Sequence, residues 1–141
     1  MVKRPLGPGF THARSSVTNL QAHVIFVVKY RRKVLTSRIL NDCHAIMTET
    51  ASGLGCQVRE FNGEADHVHL IVQYPPTVAV ADLVRTLKGT SSRRLREQHA
   101  AHLRRYLWGD HLWSPSYFAA SAGGVTLDVL KRYIDGQARP D

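Results

Sequence analysis

Apolar positions along the chain switch between two periods, and the switches mark out the elements. Gln21 to Tyr30, QAHVIFVVKY, is rich in β-branched and aromatic residues and predicts a buried strand, followed by the basic turn Arg31-Arg32-Lys33. From Ser37 to Ala51 the period becomes helical: Ile39, Leu40, Cys43, Ile46 and Met47 share one face, and Gly53 and Gly55 end the helix. Cys56 to Asn62 alternates as a strand, Gly63 to Asp66 reads as a turn, and His67 to Tyr74 is the next strand, so the two form a hairpin. Pro75-Pro76 stops it. Val80, Leu83, Val84, Leu87 and Leu95 stripe a second helix, and a shorter helical piece ends near Trp108-Gly109. Ser116 to Ser121 reads as a short strand, Gly123-Gly124 breaks the chain, and Val125 to Gln137 forms a last helix. The order β-α-β-β-α-β-α predicts an α+β domain: a ferredoxin-like, RRM-like antiparallel sheet with helices on one face.

Length and composition narrow this further. The chain has 141 residues, 43% of them hydrophobic, which suits one domain with its own core, placed here at 19–141. Residues 1–18, with Pro5, Gly7, Pro8, Gly9 and several basic residues, read as a flexible basic arm. No apolar run reaches the ~18 residues a membrane span needs. The basic N-terminus is not followed by a signal peptide's apolar stretch, so a cytoplasmic protein is expected. Cys43 and Cys56 are too few for a disulfide scaffold, lack zinc-motif spacing, and read as buried reduced thiols. Nineteen Lys and Arg against eleven Asp and Glu give a net charge of +8, which favours a polyanionic partner, nucleic acid first.

The chemistry gathers in two segments. In DHVHLIVQY, residues 66–74, His67 and His69 alternate with Val68 and Leu70, so both imidazoles fall on one side of a strand. Neutral imidazole is a common metal ligand, and the pair alone leaves zinc, a harder cation or plain surface histidines open. Asp66 could orient a histidine or cap the turn. In KRYIDGQ, residues 131–137, Tyr133 and Gln137 lie four apart and share a helix face, their Cβ atoms roughly 5–6 Å apart. A tyrosine hydroxyl can attack phosphorus, and an amide oxygen suits Mg²⁺ or Mn²⁺ rather than zinc. Alone, Tyr133 reads first as a partly buried packing residue, on a helix held by Leu127, Leu130 and Ile134. Arg85, Lys88, Arg93, Arg94 and Arg96 lie on or near one helix, either a phosphate-contacting surface or a solvated basic face. His23, Trp108 and Trp113 are assigned to the core, and Tyr74 and Tyr117 to packing.

Taken together these segments resemble the small single-tyrosine HUH transposases of bacterial insertion sequences. The resemblance is carried by HVIFVVKYRRKVL (23–35), the His-hydrophobic-His of DHVHLIV (66–72), LVRTLKGTSSRRL (83–95), LWSPSYF (112–118) and YIDGQ (133–137), in order from about Leu20 to Gln137. It implies an enzyme that cuts single-stranded DNA at hairpin ends without ATP. Tyr133 would form a 5′-phosphotyrosine link and free a 3′-OH that later rejoins the strand. His67, His69 and Gln137 would hold one Mg²⁺ or Mn²⁺, with Asp66 behind them and Arg31, Arg32, Arg85, Lys88, Arg93 and Arg94 contacting DNA. It also implies a homodimer with active sites shared between chains, a swing of the tyrosine helix at Gly123-Gly124, and a nucleoid-associated cytoplasmic location in a bacterium or archaeon. Two alternatives are a domesticated endonuclease acting on repetitive palindromes and a nucleic-acid-binding module with an inactive site.

Overall fold

The computed structural model describes residues 9–122 and 127–137, without the side chains of residues 127–130. A two-stranded hairpin, β1 (Thr11–His12) and β2 (Val17–Thr18), leads into β3 (Gln21–Val27). Helix α1 (Ser37–Gly53), β4 (Gln57–Glu64), β5 (His67–Gln73), α2 (Val80–Gln98), the short α3 (Ala100–Leu103), β6 (Phe118–Ser121) and α4 (Leu127–Asp135) follow. The four long strands pair in the order β4-β5-β3-β6, every pair antiparallel. This is the ferredoxin-like order read from the sequence: the strand before α1 and the strand after β4 lie side by side at the centre.

Strand alternation divides the sheet into two unlike faces. Ala22, Val24, Phe26, Val68, Leu70 and Val72 point one way and are buried against Ile39, Cys43, Ile46 and Met47 of α1 and Leu83, Val84, Leu87 and Leu95 of α2. Thr36 caps α1 through Oγ1, which accepts from the Ile39 amide at 3.2 Å. Gly63 lets Leu40 press onto the sheet, because a Cβ there would clash with the leucine methyl. Burial pushes the Cys43 thiol up to about 12, and neither cysteine is bonded to the other. On the opposite face, Ile25 and Val27 pack with Phe118, Tyr133 and Ile134. α1 and α2 thus cover one face of the expected ferredoxin-like sheet, and α4 adds a helix on the other. The amphipathic stripe of α4 calls for packing, and the contacts of Tyr133 and Ile134 with Ile25 and Val27 show where.

Other boundaries moved as well. The turn before β5 is only Ala65-Asp66, because β4 keeps pairing with β5 out to Glu64. Part of the arm expected over 1–18 lies outside the described residues; from Thr11 to Thr18 the chain instead forms a hairpin, and the Gln73 amide donates to Phe10 O at 3.3 Å and to Thr11 Oγ1 at 3.0 Å. The glycines of the expected hinge at 123–124, and the side chains of Leu127 and Leu130, also lie outside the described residues. Trp113 is buried as expected, its Nε1 donating to Ser91 Oγ at 2.9 Å, whereas Trp108 is 81% exposed. Trp108 lies within the irregular piece between α3 and β6, facing solvent while Leu107 and Leu112 on either side turn inward.

Candidate metal and nucleophile site

The site sits on the sheet face away from α1 and α2. His67 and His69 are half-buried there, and the buried Val68 and Leu70 anchor the strand from behind. His67 Nδ1 lies 2.8 Å from Asp66 Oδ1, and Arg31 Nη2 lies 3.3 Å from Asp66 Oδ2. Burial alone would push the Asp66 carboxyl up, but the His67 hydrogen bond and the charges of His67 and Arg31 outweigh it and hold the group below the usual aspartate range. In the neutral ring, Nδ1 donating to this carboxylate leaves the Nε2 lone pair of His67 free for a ligand. A cavity of about 460 Å³ opens here, lined by Arg31, Lys33, Asp66, His67, Lys131 and Asp135 among others.

His69 has a different neighbour. Its Nε2 lies 2.7 Å from His23 Nδ1, with the rings stacked at 5.0 Å between centroids. His23 is thus not a core residue: it lies on the site face, because pairing β3 to β5 sets Ile25 opposite His69 and brings the histidine two residues earlier alongside. The His69 pKa is lowered, first by burial and then by His23, so the ring stays neutral and suited to ligation.

Tyr133 and Gln137 occupy the other side of β3. The Tyr133 ring packs 5.1 Å from Phe118, and its hydroxyl is buried without a hydrogen-bond partner among the described residues. Burial raises its pKa; Ser116 and Gln137 lie near enough to temper the rise but do not meet hydrogen-bond geometry with the phenol oxygen. Gln137 Oε1 accepts from Ser116 Oγ at 3.0 Å, and its Nε2 donates to Tyr133 O at 3.4 Å. The fold therefore brings the tyrosine helix onto the histidine face, with Lys131 and Asp135 toward His67 and Tyr133 and Gln137 toward β6. Among the described residues no hydrogen bond joins Tyr133 or Gln137 to His67 or His69.

The donor set could hold a metal ion. Glu64, Asp66 and His67 offer ligand atoms all within 4.8 Å of one another, a grouping that adds Glu64 to the sequence-based candidates. Glu64 pairs with His67 across the hairpin, a contact that a turn over Gly63 to Asp66 would not form. His69 stays outside this group because it faces His23.

The basic residues of α2 sit behind the sheet and are largely partnered. Arg85 pairs with Asp82, Arg93 with Glu97 at 3.9 Å, Arg94 with Glu49 of α1 at 3.2 Å, and Arg96 with Asp110 at 3.9 Å. Lys88 Nζ donates to Pro115 O at 2.8 Å, and burial lowers its pKa. It lines, with Val84, Trp113 and Tyr117, a cavity of about 450 Å³ beside α2. Tyr117 is 41% exposed there, whereas Tyr74 packs against the core. Arg31 and Arg32 are half-buried, and the Nε of each is buried without a partner among the described residues.

Comparison with known proteins places this geometry. The family described as "Transposase IS200 like" matches residues 16–137. The ISDra2 transposase TnpA of Deinococcus radiodurans is 35% identical over 124 residues, covering 88% of each chain. A Salmonella typhimurium transposase for insertion sequence element IS200 is 27% identical over 123 residues, 87% of this chain and 80% of that one. A crystal structure from Deinococcus radiodurans, provisionally assigned as a transposase, superposes with a TM-score of 0.84 at 30% identity, over 92% of this chain and 99% of that one. A REP-associated tyrosine transposase bound to a REP hairpin shares the fold at a TM-score of 0.51 and 11% identity, over 89% and 68% of the two chains. Among the described residues no helix is long and apolar enough to cross a membrane.

Proposed function

The chain belongs to the family of IS200-like transposases, and from that premise we propose that it cuts and rejoins single-stranded DNA at hairpin ends through a covalent phosphotyrosine at Tyr133. The observation that carries the reading is the meeting, on one sheet face, of an imidazole oriented by a carboxylate and a helix bearing a buried tyrosine. His67, His69 and Gln137 would hold one Mg²⁺ or Mn²⁺, with Glu64 close enough to assist and Asp66 behind His67. The cation would polarise the scissile phosphate and steady the leaving oxygen.

The residues of the chain do the rest. The Tyr133 oxygen bonds to phosphorus, the P–O3′ bond breaks, the phenol proton leaves and a proton joins the 3′ oxygen. Rejoining reverses these changes, with a 3′-OH attacking and the phenol restored. One phosphodiester is exchanged for another, so no ATP is required. Because burial raises the Tyr133 pKa, the phenol stays protonated until an acceptor reaches it. Lys33 and Lys131, beside His67, are placed to meet strand phosphates. Arg32 is assigned to a more distant DNA segment, whereas Arg85, Lys88, Arg93 and Arg94 already hold partners behind the sheet and lie off the proposed path of the strand. Gln137 is bonded to Ser116 rather than turned to His69, which favours a homodimer in which a second copy's tyrosine helix completes the site.

The test is direct. The protein is incubated with Mg²⁺ or Mn²⁺ and a labelled single-stranded hairpin from its own locus. A covalent protein–DNA adduct that disappears in Tyr133→Phe and in EDTA is expected. Tight binding with no adduct in the wild type would establish the inactive module instead.

A further inference from the structure

The turn between β3 and α1 holds two successive side-chain-bearing residues in the left-handed region, Tyr30 at φ 60° and Arg31 at φ 53°. Backbone of this kind persists where the surroundings over-determine it, and it gathers at functional sites. Here the surroundings are a set of main-chain bonds. Lys29 N donates to Leu112 O at 2.9 Å and Arg31 N to Val28 O at 2.7 Å. Val28 N donates to Asp66 O at 2.8 Å and Leu35 N to Ala65 O at 2.9 Å, so the strained turn wraps the two-residue turn that launches β5.

What the wrapping places is the Arg31 guanidinium. It takes Oδ2 of Asp66 while Oδ1 faces His67 Nδ1, so the two carboxylate oxygens serve different partners. With Oδ2 held, the carboxylate cannot rotate away from the imidazole, and His67 is fixed with Nδ1–H inward and Nε2 outward. Partners of this kind set the orientation and basicity of a metal-binding histidine. The Arg31 side chain is only 19% exposed and its Nε is buried, which suits a residue facing inward better than one reaching for a phosphate. Lys33, exposed on the same cavity, is the better phosphate contact.

We propose that Arg31 is a positioning residue that acts through Asp66 to orient His67 for the cation, and that it is not a DNA contact. This rests on the reading of His67 as a metal ligand. The strained backbone supplies a clean variant: Arg31→Gly removes the guanidinium while glycine accepts φ 53° freely.

The experiment titrates Mn²⁺ into the full-length, metal-stripped protein by calorimetry, without DNA. Binding of a labelled single-stranded hairpin is measured separately in EDTA. Arg31→Gly is expected to weaken Mn²⁺ about 10- to 100-fold, the range seen when such outer partners are removed, with melting temperature retained and hairpin binding within about twofold of wild type. Arg31→Lys recovers part of the loss, and Lys33→Ala shows the opposite pattern, with weaker hairpin binding and unchanged Mn²⁺ affinity. If Arg31→Gly does not fold, Asp66→Asn carries the same expectation for Mn²⁺. Should Arg31→Gly, or Asp66→Asn in its place, bind Mn²⁺ like the wild type while His67→Ala does not, the positioning role is overturned and the metal reading stands. Should His67→Ala itself bind Mn²⁺ like the wild type, the metal reading falls and this inference with it.

Discussion

On one face of the sheet, Val24, Phe26, Val68, Leu70 and Val72 are completely buried beneath α1 and α2. On the other face, His23, His67 and His69, from the same two strands, are half-buried beside α4. The residues alternate one by one along β5, so side chains a single position apart have unrelated duties. The first face gains its energy by excluding water from methyl groups. The second accepts partly exposed imidazoles, a buried phenol without a partner among the described residues and a buried carboxylate held between an arginine and a histidine. Rigidity from one face is what allows polar groups on the other to hold a fixed geometry.

The sharpest way to break this comparison uses neighbours on β5. Leu70→Ala removes a side chain with no exposed surface and is expected to cost about 2–5 kcal/mol in urea unfolding. His69→Ala, one residue away, is expected to cost under about 1 kcal/mol and yet to abolish adduct formation. If His69→Ala destabilised the fold as much as Leu70→Ala, the division of labour between the faces would be wrong.

A second prediction concerns pH and has a smaller effect. Burial raises the Tyr133 pKa above its ordinary value of 10.0, so the phenolate fraction at neutral pH is smaller than for an exposed tyrosine. Adduct formation is therefore expected to quicken from pH 7 to 9, by up to about tenfold per unit if phenolate is the attacking form. The sign for stability is the reverse. A raised pKa favours the folded state below pH 10, and that contribution is lost as pH rises through the folded-state value. Tyr133→Phe should remove this alkaline loss, which unfolding curves at pH 9 and 11 would register. A flat rate profile would mean that Tyr133 is not limited by its proton.

Local pattern made half of this site legible. Parity along β5 put His67 and His69 together, and helical spacing put Tyr133 with Gln137, because both inferences need only nearby sequence. What the sequence hid depended on contacts between distant segments. His23 joins His69 only because β3 pairs with β5 in a register that sets Ile25 opposite His69. The face chosen by α4 was hidden for the same reason, since an amphipathic helix has an apolar stripe whichever side of a sheet receives it. Trp108 shows the converse: its size argued for the core, but on an irregular piece it is Leu107 and Leu112 that turn inward and the indole that faces solvent.

The smallest effect bears on where the DNA lies. The sequence pointed to the basic face of α2, yet α2 is behind the sheet, and the Arg94 guanidinium there meets Glu49 of α1 at 3.2 Å. The glutamate side chain is 72% exposed, so the pair is worth no more than about 1 kcal/mol, and Arg94→Ala should barely move the unfolding midpoint. Its effect on DNA separates two arrangements. If the strand stays on the histidine face, the dependence of hairpin affinity on salt is the same with and without Arg94. If the stem wraps behind the sheet and Arg94 leaves Glu49 for a phosphate, losing it lowers the slope of log affinity against log salt by about 0.7–0.9. We expect no change in slope, because every phosphate-ready lysine beside the candidate site, Lys33 and Lys131, opens onto the cavity of His67 rather than onto α2.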